Sequence, residues 1–111
     1  MDMEMIGQGA APPAGSWTHS HEEDTAGVMV YRAALSYPFP PSRAGRETLE
    51  FGAAGELTLR APGPDDRTRA RSSRWTALGM NRFTLGGTAE VPERVIEVIE
   101  ATPEILKIRP A

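Results

Sequence analysis

The sequence predicts an all-β fold, a small antiparallel eight-stranded barrel, and three observations carry that expectation. From Gly15 onward the apolar residues fall in short runs separated by turn signals, and a sustained 3.6-residue periodicity is missing. Several runs alternate with period two, as half-buried strands do. Val, Ile, Tyr and Thr cluster inside the runs, where branched and aromatic side chains suit a pleated surface. Eight short strands leave exposed edges unless the sheet closes on itself, so closure into a barrel is the economical solution.

The first strand is expected at Ser16–Ser20, anchored by Trp17, and the second at Gly27–Ala33 with Val28, Val30 and Tyr31. Thr48–Phe51 and Glu56–Arg60 alternate cleanly, placing Leu49, Phe51, Leu57 and Leu59 on one face. The intervening Gly52-Ala53-Ala54-Gly55 has the backbone freedom of a hairpin turn. Ala61–Asp66 holds two prolines, a glycine and two aspartates and reads as a loop. A fifth strand follows at Arg67–Ser72, continuing or bending into Arg74–Leu78, then Arg82–Leu85 after a turn at Gly79-Met80-Asn81. Arg94–Glu100 and Glu104–Arg109 form the last hairpin, with Leu106 and Ile108 facing inward. Residues 92–100 also fit a short helix, because Pro92 is tolerated at a first helical position and Val95, Val98 and Ile99 share a helical face. Strand is favoured since four of the seven residues from 94 to 100 are Val or Ile.

A chain of 111 residues supports one core, expected over residues 15–111. Residues 1–14, with glycines, prolines and no periodicity, are expected to form a mobile arm. The chain has no cysteine, which excludes disulfides, thiolate zinc sites and thiol nucleophiles. No apolar run is long enough for a membrane helix, and no signal-peptide pattern opens the chain, so a soluble, cytoplasmic protein is expected. Residues 1–24 carry five acids and no base, residues 25–89 nine arginines against five acids, and residues 90–111 five acids against three bases. With a net charge of −3, nothing favours nucleic acid.

Gly15-Ser16-Trp17 resembles the G-x-W opening of lipocalin-like barrels, where the tryptophan plugs one end. The Phe51 to Leu57 hairpin, the second tryptophan Trp75 and the Phe83 to Leu85 strand follow in a similar order. Size and strand count further resemble the bacterial inhibitors of secreted metalloproteases, eight-stranded barrels that block a protease cleft with an N-terminal arm. The stretch Trp17–Asp24, with Tyr31-Arg32 and Phe39–Arg43, is similar to uncharacterised bacterial proteins, some encoded beside peptide natural-product pathways.

No nucleophile elbow, phosphate loop, dinucleotide fingerprint or haem motif occurs, so no catalytic residue and no cofactor are expected. The function expected is a non-catalytic binding or accessory protein, monomer or homodimer, that captures a peptide, small molecule or partner protein. Its surface would be a barrel mouth with Trp17, Tyr37, Phe39, Arg69, Arg71 and Trp75. Arg67, Arg69 and Arg71 alternate and would line one strand face, where guanidinium groups can clamp an anion. The plainer reading makes them an outward row paired with Glu47, Glu50 and Glu56. Tyr37–Pro41 would close a mouth or simply pack as a loop. A second alternative is protease inhibition through the arm. A third is metal-dependent chemistry on His19, His21 and Glu23, which would share a strand face, though zinc sites usually need another ligand and a supporting shell.

Overall fold

The computed structural model describes residues 14–43, 45–62 and 68–111. The expected arm therefore lies outside the described residues except for Ala14. Eight strands form in chain order: β1 Gly15–His19, β2 Met29–Ala33, β3 Thr48–Phe51, β4 Glu56–Pro62, β5 Thr68–Gly79, β6 Arg82–Leu85, β7 Arg94–Ala101 and β8 Ile105–Pro110. They close a barrel in the order β1-β2-β8-β7-β6-β5-β4-β3, with every neighbouring pair antiparallel.

The order is not a simple meander. β1 sits between β2 and β3, so the connection over residues 34–47 joins two strands that run in the same direction and must cross β1. An up-and-down lipocalin barrel has no such crossover. From β3 to β8 each strand pairs with the next, and the β3–β4 and β5–β6 reversals are as short as their turn residues predict. Gly55 has φ +90°, and the β5–β6 turn carries positive φ at Gly79, Met80 and Asn81.

Period-two alternation fills the centre. Trp17, Tyr31, Leu49, Phe51, Leu57, Phe83, Leu85, Ile96, Leu106 and Ile108 form one cluster, each at most 4% exposed. Removal of this much apolar surface from water is the main stabilising term of the fold. The opposite faces hold Ser16, Thr18, Glu50, Thr58, Arg60, Thr84, Glu97 and Arg109, the inverse of the apolar outer band of a membrane-spanning barrel. Among the described residues, no helix is long and apolar enough to cross a membrane.

Three expectations need correction. The first strand ends at His19, and His21–Glu23 form a 3-10 turn, because the Glu23 and Asp24 amides bond back to the Ser20 and His21 carbonyls at 3.0 and 3.2 Å. The second strand starts at Met29, since Thr25 and Val28 close a tight turn through paired backbone bonds. The loop expected at Ala61–Asp66 gives up Ala61 and Pro62 to β4, where they pair with Arg69 and Thr68, and residues 63–66 lie outside the described residues. The fifth strand continues without a break over 12 residues, one of its two expected forms. Residues 94–101 are strand, with a register shift between Val98 and Glu100 that leaves Ile99 at 43% exposure.

Candidate functional site

One barrel end is lined with polar groups. His19 ends β1 on its inward face and stacks on Tyr31 of β2, ring centroids 4.9 Å apart. Its Nε2 meets both oxygens of Asp24 at 2.9 and 3.2 Å, and Asp24 Oδ1 also accepts from the Val30 amide. The fully buried Tyr31 donates its hydroxyl to Glu47 Oε1 at 2.6 Å. Burial, then the Glu47 charge, push the Tyr31 phenol well above the usual tyrosine range. Arg94, on the inward face of β7 opposite Leu85, meets Glu47 at 3.5 Å. β7 stands four strands from β3 in either direction round the barrel, so this ion pair spans the opening.

The crossover is fastened to the outer wall by two matching arginine clamps. Arg32, on the outward face of β2, pairs through both nitrogens with Glu23 at 2.7 and 2.8 Å and lies over the Tyr37 ring. Arg46 pairs with Glu22 at 2.6 and 2.9 Å, donates to the His19 and Pro40 carbonyls, and lies over Phe39. Tyr37 and Phe39 meet edge to face at 4.8 Å. The guanidinium bonds hold the Glu22 and Glu23 carboxyls down to about 2, below their ordinary range.

A depressed carboxyl pKa adds stability at pH values above the unfolded pKa near 4.3, and that contribution disappears as pH falls toward 2. Glu23 is only partly covered, so screening limits its share to about 1 kcal/mol or less. Replacing Arg32 with Met should flatten the stability profile between pH 4.5 and 2, read from urea midpoints across that range. A variant profile parallel to wild type would disprove the clamp's contribution.

A second feature lies where β4 and β5 run on past the barrel. The β5–β6 ladder begins only at Trp75↔Leu85, so residues 68–74 pair with β4 alone. Arg71 is opposite Leu59 and Arg69 opposite Ala61, which puts both arginines on the face that lines the barrel further along. With Ala70 and Glu90 they line an open depression of about 680 Å³. Arg71 reaches the Glu90 carbonyl at 3.5 Å, and the Ser73 hydroxyl pairs with Thr88.

The structure separates the six residues expected at one mouth. Trp17 is in the core, and Trp75 lies at the β3–β4 turn, donating its indole N–H to the Gly52 carbonyl at 3.1 Å. Tyr37 and Phe39 belong to the outer clamps. Arg69 and Arg71 stay together, about 7 Å apart along the strand. Both stand on the lining face and not in an outward row, while Glu50 takes Arg60 and Glu47 takes Tyr31 and Arg94. Arg67 lies outside the described residues.

His19 and His21 lie edge to face with ring centroids 6.1 Å apart, but Glu23 does not join them. The 3-10 turn carries His21 to Ser42 at 3.3 Å, while Arg32 holds both Glu23 oxygens. Among the described residues, no group of three or more His, Asp or Glu side chains is placed to hold a metal ion. Sequence reasoning missed Arg46 and Arg94 and gave Glu47 only as a partner of the arginine row; the local signal was charge flanking otherwise apolar strands. No protein-family model, curated protein or solved structure matches the chain.

Proposed function

We propose that this protein is a non-catalytic binding module that captures a carboxylate-bearing ligand, a peptide or small acid, at the ledge formed by Arg69 and Arg71. The observation that carries the reading is the position of these two arginines: exposed, on the lining face of β5, beyond the last apolar layer. Eight-stranded barrels can hold a small ligand inside. Here bulky side chains fill the centre, so the accessible concave surface is at the rim. Two guanidinium groups supply planar, paired donors that match carboxylate oxygens, and the depression admits an extended ligand.

Titration of ¹⁵N-labelled protein with glutarate at low ionic strength tests this. Amide shifts should localise to residues 69–73 and 86–91. The Arg69→Glu, Arg71→Glu variant should weaken binding about 10- to 100-fold, the scale of a lost charge-assisted hydrogen bond. Absence of localised shifts at millimolar glutarate, or equal shifts in the variant, would refute the assignment.

A further inference from the structure

The depression beside Arg69 and Arg71 lies where β5, among the described residues, pairs with β4 alone. In antiparallel pairing, alternate residues direct both backbone groups to the same side. The Trp75 amide bonds to the Gly55 carbonyl, so odd-numbered residues of β5 turn their backbone toward β4. The Arg74 carbonyl accepts from Gly86 on the other side, which places even-numbered residues toward β6. β6 begins its pairing at Leu85, and Gly86-Gly87 then turn the chain away. Among the described residues, the amides and carbonyls of Ala70 and Ser72 make no backbone hydrogen bond on that side. Both residues are exposed.

We infer that the free edge of β5 at Ala70 and Ser72 binds an extended acidic peptide of a partner protein as an added antiparallel strand. Main-chain bonds to Ala70 and Ser72 would supply the docking, as in other cases of strand addition. The two peptide residues on either side of the one bonded to Ala70 would stand opposite Arg69 and Arg71. These are non-hydrogen-bonded positions, where facing side chains come closest. Carboxylates there meet the two guanidinium groups. A second copy of this edge would instead set arginine against arginine, so charge selects an acidic partner over self-association and guards the edge against aggregation. Small Ala70 and Ser72 side chains on the opposite face leave room for a bulky apolar residue.

The inference rests on the carboxylate-binding reading and adds the main-chain component to it. Its probe is the labelled peptide Val-Asp-Val-Asp-Val-Asp-Val, followed by fluorescence anisotropy with the full chain. Methylating the valine amides removes the backbone donors and keeps every charge. This should reduce affinity at least tenfold. Ser72→Pro should have a comparable effect, since it deletes one edge donor without breaking a β4–β5 bond, and far-ultraviolet circular dichroism checks that the variant folds. Hydrogen exchange at the Ala70 and Ser72 amides should slow in the complex. Equal affinity for the methylated peptide, with binding still lost in Arg69→Glu, Arg71→Glu, would overturn strand addition while leaving carboxylate capture intact. No binding of the unmethylated peptide, with glutarate still recognised, would do the same.

Discussion

Replacing Gly86 with Ala should destabilise the protein by about 4 kcal/mol, most of the margin of a small domain. Gly86 is buried at φ +88°, and a Cβ there would fall 2.4 Å from the Pro92 carbonyl oxygen, 2.9 Å from Val91 Cγ1 and 3.0 Å from the Val91 carbonyl oxygen. Two of the three obstacles are backbone, which cannot swing aside as a side-chain end can. Left-handed φ alone costs a non-glycine residue about 1 to 2 kcal/mol. Gly87 separates the two effects, since it has nearly the same φ, +90°, yet its added Cβ meets nothing closer than Glu93 Cβ at 3.7 Å. Gly87→Ala should therefore cost only the conformational share, about 1 to 2 kcal/mol. Urea unfolding of both variants checks the pair. Equal midpoints would show that backbone conformation, not the close approach of Val91 and Pro92, makes Gly86 necessary.

That turn also explains why some of the structure was legible in the sequence and some was not. Alternation at Leu49/Phe51, Leu57/Leu59 and Leu106/Ile108 identified strand, face and inward side, because a half-buried sheet ties all three to a period of two. Turn chemistry located the β3–β4 and β5–β6 reversals. Strand order did not follow from these signals, because the crossover over residues 34–47 is a long connection whose path is decided by Arg32–Glu23 and Arg46–Glu22, pairs 9 and 24 residues apart. The candidate site was half visible. Alternation placed Arg69 and Arg71 on one face, but which face depends on register with β4, where Leu59 opposes Arg71. Among the described residues, the stretch of β5 beside them stays outside the β5–β6 ladder because β6 is only 4 residues long, and a short strand carries no mark of what its neighbour lacks.

Glu47→Ala should cost about 3 kcal/mol and Tyr31→Phe clearly less, although both remove the same hydrogen bond. The asymmetry follows from what each change leaves behind. Truncating Glu47 leaves the proton of a fully buried hydroxyl without an acceptor, because Arg94 beside it can only donate. Tyr31→Phe removes that hydroxyl along with the bond and leaves Glu47 beside Arg94, so about 1 to 1.5 kcal/mol is expected. In the double variant the orphan no longer exists, and the combined loss should fall short of the sum by at least 1 kcal/mol, the coupling expected of residues in direct contact. Alkaline titration reads the same contact independently. The folded phenol ionises above the usual range, so the folded state holds its proton after the unfolded chain has lost it near pH 10. Stability linked to Tyr31 is thus present below that pH and declines as pH rises further. Tyr31→Phe should flatten this alkaline limb. Additive losses together with an unchanged alkaline limb would mean that the hydroxyl reaches water, and that the polar groups at this end of the barrel do not seal it.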